Sequence, residues 1–293
     1  KNYKDAYESL EKAGLKDQRL KEAYQRIAFY RGVELFNNGD FSNAADLFDK
    51  SISQPVNDGL KAQALYWKGE ALYRMNEFQK SIQSQNLFLL SAGAYSQPFY
   101  NRAHYNIGYS YFKLKNYPQA IVSFRKFVLD KHEDAKLVND AYLRIGDSYF
   151  ITKEYDNAVT YYDLAIKAGL LDADYAYFQK SLSLGVTGKF ESKIASLSSL
   201  LNHYPQSAYA ADAKYEIANA YMVLDNSARA LDYYDKIVKE HPNSSYVKSA
   251  QLKSGLVYYN NNEDQKALEI FKGVVSKYPG TPESQEALVT IKN

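Results

Sequence analysis

Four histidines are the side chains of this sequence best suited to proton transfer and metal binding at neutral pH. They are His104, His132, His203 and His241, and no two of them have the HxxxH spacing that places two ligands on one helical face. The sequence also has no cysteine, no glycine-rich phosphate loop and no nucleophile elbow. We therefore expect no enzymatic activity, no metal site and no cofactor.

Composition restricts the classes of partner. The 293 residues carry a net charge of +2, so the chain lacks the strong basic field that attracts nucleic acid. No apolar run approaches the roughly 18 residues of a membrane-spanning helix. The lack of cysteine is compatible with an oxidising envelope compartment and with other compartments. We expect no nucleic acid partner and no membrane span in this chain.

Tyrosine is unusually abundant, with 29 copies beside 14 phenylalanines. Aromatic rings each bury a large area, and their first interpretation is packing between helices. The second interpretation is a line of rings that contacts a ligand. The composition leaves both interpretations open, and the position of the rings along the chain has to decide between them.

The chain contains a repeat of 35 to 39 residues, marked by a column of small residues that opens the phrase GxxY. A second column, mostly alanine, follows after 12 positions each time. A constant inner interval with a variable outer one predicts a rigid helix pair joined to the next by an adjustable connection. The small column is Gly32, Gly69, Gly108, Gly146, Ser181, Ala218 and Gly255, and the second column is Ala44, Ser81, Ala120, Ala158, Lys193, Ala230 and Ala267.

Polar breaks separate the two columns, for example NNGD at 37–40 and KNYP at 115–118. Asn and Gly tolerate the left-handed conformation that ends a helix, and Pro118 suits the first turn of the next one. Large apolar residues follow the columns at offsets of three and four, which place them on one helical face. Each repeat is therefore predicted to be a first helix, a tight turn and a second helix.

Prolines mark the connections between the last repeats. Pro205, Pro242 and Pro279 are 37 residues apart, and proline cannot continue a helix because it lacks an amide hydrogen. A hydroxyl residue follows each proline after one position and is expected to cap the next helix. These residues are Ser207, Ser244 and Thr281.

The columns, together with proline after the second helix, resemble the tetratricopeptide repeat over essentially the whole chain. This resemblance implies an all-α fold, a right-handed superhelix (α-solenoid) of about seven helix pairs with half-repeats at both ends. The YPxS connection at Pro205, with the related connections at Pro242 and Pro279, is similar to connections in the repeats of bacterial envelope proteins, such as the tol-pal system coordinator and the outer-membrane assembly lipoprotein. This narrower resemblance implies a periplasmic or cell-envelope location, with the cytoplasm as the alternative.

We expect one continuous solenoid made of two arrays. Residues 1–168 hold a half-repeat and four repeats, and residues 169–293 hold three repeats and a terminal capping helix. The fifth repeat departs from the pattern, with Ser181 in the small column and Lys193 in the alanine column. A bend is therefore expected near residues 169–190.

The resemblance also implies a concave groove lined by the first helices. The lysines and asparagines with which chaperone-tail binders clamp a carboxylate are missing from the corresponding positions, which here include Tyr66, Glu70, Tyr105 and Tyr109. We expect a non-catalytic scaffold that binds a protein or peptide segment in this groove. The alternative is binding of a glycan or cell-wall strand by the same tyrosines. The expected partner-binding residues are Tyr66, Tyr73, Arg74, Tyr105, Tyr109, Phe112 and Lys113, with the two cations as a basic margin.

Overall fold

The structure, a computed structural model, describes residues 3–14, 16–54, 56–130 and 133–292. His132 lies outside the described residues. The chain divides into two compact units, Lys1–Lys153 and Glu154–Asn293. This division falls one helix before the predicted boundary of the two arrays at residue 168. The predicted bend near 169–190 stays a prediction.

The N-terminal unit contains eight helices in its described residues. They are α1 (Tyr3–Ala13), α2 (Gln18–Asn37), α3 (Phe41–Ile52), α4 (Asp58–Arg74), α5 (Phe78–Leu90), α6 (Arg102–Lys113), α7 (Tyr117–Val128) and α8 (Ala135–Ile151). Each helix packs against the next, and the first helices also contact one another, α2 with α4, α4 with α6 and α6 with α8. The first helices thus form one layer, which is the layer where the sequence places the binding groove.

The C-terminal unit likewise contains eight helices in its described part. They are α9 (Tyr155–Ala168), α10 (Ala173–Val186), α11 (Phe190–His203), α12 (Ala210–Val223), α13 (Ser227–Glu240), α14 (Tyr246–Asn260), α15 (Asp264–Lys277) and α16 (Pro282–Lys292). In chain order, α2 to α15 make seven pairs, and α1 and α16 remain as single helices at the two ends. The predicted all-α architecture of seven helix pairs with half-repeats is confirmed, and the described residues contain no strand.

A left-handed residue ends the first helix of every pair, as the polar breaks predict. Gly39 has φ of 81° and Lys115 has φ of 58°. The corresponding residues elsewhere are Asn76, Lys153, Gly188, Asp225 and Asn262. The side chain of Asn116 then caps α7 by accepting from the backbone amide of Gln119 at 3.4 Å, and Pro118 lies in the first turn. The breaks therefore reverse the chain within four residues.

The small column lies at close helix contacts. A Cβ added to Gly108 would lie 2.8 Å from the ring of Phe124, sixteen residues later on α7. The same relation holds for Gly32 with Phe48, at 2.9 Å, and for Gly255 with Phe271, at 2.5 Å. Real Cβ atoms do not approach so closely, so these positions need glycine for the two helices of a pair to pack.

Of the three predicted caps, the structure confirms the one at Thr281, which accepts from the amide of Ser284 in the first turn of α16 at 3.3 Å. The Oγ of Ser207 accepts from the amide of Tyr209 at 3.1 Å, and the Oγ of Ser244 accepts from the amide of Tyr246 at 3.2 Å. The N-cap residues of α12 and α14 are Tyr209 and Ser245, and neither helix has a side-chain cap. Ser207 and Ser244 therefore hold the turns that lead into these helices, because each lies too early in the chain to cap them.

The fifth repeat packs around its unusual lysine. Lys193 on α11 is only 7% exposed, and its ammonium group forms an ion pair with Glu216 on α12. Gly185 on α10 makes room for it, since a Cβ added there would lie 3.1 Å from the Cδ of Lys193. The position that holds alanine in most repeats is thus filled by a buried, paired cation.

Candidate partner-binding site

A pocket of about 210 Å³ opens between α4 and α6, two consecutive first helices of the N-terminal unit. Its lining residues are Glu70, Tyr73, Arg74, Tyr105, Asn106 and Tyr109. Four of the seven residues expected from the sequence, Tyr73, Arg74, Tyr105 and Tyr109, therefore lie together. They do so because equivalent positions of neighbouring repeats face the same side of the helix layer.

Tyr105 and Tyr109 have two roles in this site. Their rings pack edge to face with centroids 5.0 Å apart, and both rings contact Phe124 of α7. The hydroxyl of Tyr105 donates to Asp140 on α8 at 2.8 Å, and the hydroxyl of Tyr109 donates to the same carboxylate oxygen. Burial is the main cause that raises the pKa of both hydroxyls, and Asp140 raises them further. The two rings are thus fixed in place and remain neutral.

Glu70 supplies a carboxyl group to the pocket wall. Its Oε1 accepts from the Nε2 of Gln85 on α5 at 3.4 Å, and Glu70 forms no ion pair with any described residue. Burial raises the pKa of this carboxyl to about 7, against the opposing charges of Arg74 and Arg102. Near neutral pH the pocket therefore contains a carboxyl group that is ready to gain or lose a proton.

Asn106 and Arg74 are the remaining polar groups of the pocket wall. The Nδ2 of Asn106 is shielded from water and lies beside the hydroxyl of Tyr66, without the geometry of a full hydrogen bond. Arg74 is exposed at the end of α4 and forms no ion pair with a described residue. Of these two polar groups, Arg74 is therefore the one that an incoming segment would meet first.

The remaining expected residues lie elsewhere. Tyr66 is only 5% exposed and belongs to the core, where its ring contacts Phe88 with centroids 5.4 Å apart. Phe112 packs edge to face on Tyr117, also within its own repeat, and Lys113 is exposed at the end of α6. None of these three lines the pocket. The structure thus brings four of the seven expected residues together and places Tyr66 beneath them.

Glu70, Asn106 and Asp140 also belong to the site, although the sequence predicts only a groove position for Glu70 and no role for the other two. A further signal for Glu70 is present in the sequence. Gln85 stands where other repeats have an aromatic or leucine residue four positions after the alanine column, and it is fully buried beside Glu70. A buried amide in an otherwise apolar column indicates a polar neighbour. No comparable signal marks Asn106 or Asp140.

Two searches of the described ranges bear on other kinds of site. No group of three or more His, Asp or Glu side chains could hold a metal ion there. No described helix is both long enough and apolar enough to cross a membrane.

Comparison with known protein families follows the repeats found in the sequence. One family model described as tetratricopeptide repeat matches residues 29–96 and 105–172, and a second model with the same description matches 212–244 and 249–281. Together these matches cover more than half of the chain. No curated protein sequence is a significant match.

Solved structures with the same fold include three with TM-scores above 0.5. The C-terminal part of a TPR repeat-containing protein from Cytophaga hutchinsonii has a TM-score of 0.68 at 16% identity, covering 89% of this chain and 99% of its own. YrrB, a TPR protein with an unusual peptide-binding site, has a TM-score of 0.53 at 22% identity, and the match covers 68% of this chain and 94% of YrrB. A tetratricopeptide repeat protein from Parabacteroides merdae has a TM-score of 0.52 at 16% identity, and the match covers 92% of this chain and 99% of that protein. The chain belongs to the tetratricopeptide repeat family.

Proposed function

We propose that this protein is a non-catalytic scaffold that binds a segment of a partner protein at the pocket between α4 and α6. One observation carries the proposal. Aromatic rings from two consecutive repeats, those of Tyr73, Tyr105 and Tyr109, line one pocket together with the carboxyl group of Glu70. Rigid aromatic side chains are among the groups with which protein surfaces anchor extended segments.

The size of the pocket favours a side chain over a free small molecule. Its volume of about 210 Å³ is below the roughly 300–1,000 Å³ of pockets that hold drug-sized ligands. A single side chain fits such a volume, and the rest of the segment would lie along the layer of first helices. Tetratricopeptide repeats stack such helices into extended binding surfaces, which supports a protein or peptide as the partner.

We place this scaffold in the bacterial cell envelope. The support is the resemblance of the YPxS connection at Pro205, and of the related connections at Pro242 and Pro279, to the repeats of bacterial envelope proteins. Fractionation of cells that express the native gene from its own promoter tests this placement. Recovery with periplasmic or membrane markers agrees with it, and recovery with cytoplasmic markers alone contradicts it.

Selection from a library of displayed random peptides tests the binding function. We expect peptides that bind the wild-type protein and lose most of their affinity for Tyr73→Ala. Tyr95→Ala is the matched control, because Tyr95 is 86% exposed and lies outside the pocket. Peptides that bind Tyr73→Ala as well as wild type would place the binding surface elsewhere. A second experiment titrates soluble cell-wall glycan fragments into the protein. Saturable glycan binding that is lost in Tyr73→Ala would show that the ligand of this pocket is a glycan and not a protein segment.

A further inference from the structure

The pocket contains a carboxyl group that forms no ion pair with a described residue, although Arg74 lies on the same wall. Glu70 has one hydrogen bond among the described residues, from Gln85 at the long distance of 3.4 Å, and no ion pair. Carboxylates that are removed from water are normally paired or hydrogen-bonded, because an isolated buried charge is costly. The ionised form of Glu70 is thus left without a direct ion-pair partner, and a positively charged group from outside would stabilise it.

We propose that this pocket receives the ammonium group of a lysine side chain from the partner segment, with Glu70 as its counter-ion and the rings of Tyr73, Tyr105 and Tyr109 along its methylene stem. This inference rests on the proposed function and specifies the partner residue that the surface recognises. An ammonium group near aromatic faces is stabilised by the ring quadrupoles, and the apolar stem packs on the same rings.

Charges of both signs act on the rings of the pocket. Burial is the largest cause that raises the pKa of Tyr73, the charge of Glu70 is the next, and Arg74 opposes it. At Tyr109, Asp140 is the charge that most raises the pKa of the hydroxyl, while Arg144 lowers it. At each ring a carboxylate and an arginine therefore act in opposite directions.

The charged groups that face Glu70 come from two helices. Arg74 lies on α4 and Arg102 on α6, and both residues are exposed to water, which screens their charge. Gln85 on α5 is the neutral neighbour. Neither arginine forms an ion pair with Glu70 among the described contacts.

Lysine fits this site better than arginine. A guanidinium group is planar and is best satisfied by two acceptors in one plane, whereas an ammonium group is a compact charge. The pocket wall offers the Glu70 carboxylate alone, since Asp140 already accepts from both tyrosine hydroxyls and pairs with Arg144.

Three blocked amino acids provide the probe: Nα-acetyl-lysine methylamide, its norleucine analogue without the ammonium group, and the glutamate analogue. Titration into the isotopically labelled protein, followed by NMR, should show saturable shifts at the pocket for the lysine probe only, with a Kd in the millimolar range expected of a single side chain. Stronger binding of norleucine or glutamate than of lysine would overturn the proposal.

Variants at the pocket separate charge recognition from simple apolar contact. Glu70→Gln, of nearly the same shape, should weaken the lysine probe about 10- to 100-fold, as loss of a charged partner does. Glu8→Gln on the exposed surface of α1 is the matched control and should leave binding unchanged. Arg74→Gln should strengthen lysine binding, because it removes a like charge. Weaker lysine binding in Arg74→Gln, or unchanged binding in a folded Glu70→Gln, contradicts the proposal.

The pH dependence gives an independent check. A cation binds the ionised form of Glu70, whose pKa is about 7, so binding should be about tenfold tighter at pH 8 than at pH 6. The opposite sign would mean that a protonated Glu70 receives an acidic group instead.

In the peptide selection, we expect lysine to be enriched among the peptides that bind. Peptides without lysine that still depend on Tyr73 would overturn the lysine pocket and leave the proposed function standing, whereas peptides that ignore Tyr73 would overturn both.

Discussion

Lys193 and Glu216 form an ion pair between α11 and α12, across the connection from the fifth repeat to the sixth. The side chain of Lys193 is 9% exposed and that of Glu216 is 27% exposed. Gly185 makes this arrangement possible, because it leaves space for the lysine stem. The least regular repeat of the sequence is therefore held by an interaction that the other repeats do not use at this position.

Lys193→Ala should lower the free energy of unfolding by about 1–3 kcal/mol, because it leaves Glu216 without its partner and opens space at Gly185. Gly185→Ala should be unfavourable in the wild-type protein, where its Cβ meets Lys193 at 3.1 Å, and favourable by up to about 1 kcal/mol in Lys193→Ala. Urea denaturation of the four proteins measures this coupling. Simple additivity of the two changes would show that the residues do not share the space.

Gly108→Leu should destabilise the N-terminal unit by at least about 1–3 kcal/mol, because a Cβ at this position already lies 2.8 Å from Phe124. Gly273→Ala on α15 is the matched control. Nothing lies within 4 Å of its added Cβ, so alanine should stabilise that helix by about 0.5–1 kcal/mol. Thermal melting followed by circular dichroism compares the two. An unchanged midpoint for Gly108→Leu would show that the repeat register is wrong.

Tyr109→Phe should cost about 0.5–1.5 kcal/mol of stability, since Asp140 loses one of the two hydroxyl donors that it accepts. The ring and its contact with Phe124 are retained, so the fold survives.

Tyr109→Ala should weaken partner binding by about 1–3 kcal/mol, as truncation of an aromatic anchor does, but it also removes packing on Phe124. Binding should therefore be compared at a temperature where both variants are folded by circular dichroism. Full partner affinity in a folded Tyr109→Ala would remove this ring from the binding surface.

Glu70 should make the protein less stable as the pH rises. Its pKa is raised from 4.5 to about 7 in the folded protein, mainly by burial. Between these values the folded state binds a proton that the unfolded state has lost, so stability falls with increasing pH across this window and levels off above it. Glu70→Gln should remove this dependence and be more stable at pH 8 by about 2–3 kcal/mol. Urea denaturation of both proteins at pH 4 and pH 8 checks the direction of this change. If the wild-type protein gains stability relative to Glu70→Gln between pH 4 and pH 8, the prediction is wrong.

Much of the helix pairing was predictable because it depends on short sequence intervals. Gly108 contacts the ring of Phe124, sixteen residues later in the chain. The short turn between their helices, with its left-handed residue Lys115, brings the two positions together. The hydroxyl groups of Ser207 and Ser244 likewise accept from amides only two residues away, in the turns that lead into α12 and α14. Local geometry of this kind is determined by helical periodicity, turn residues and capping alone.

Tertiary structure decided which polar groups meet, because that depends on how successive helix pairs are rotated against each other. Asp140 accepts from Tyr105 and Tyr109 on the previous first helix, and no periodicity in the sequence connects them. The same rotation places Tyr66 in the core while Tyr105 lines the pocket, although both stand three residues before their small-column glycines. The sequence by itself determined the repeats, their helices and the face that carries the tyrosines. Only packing between repeats decided that this face contains a pocket with the carboxyl group of Glu70 in its wall. The side chains of neighbouring helices remove Glu70 from water, and this burial raises its pKa and so sets its charge near neutral pH.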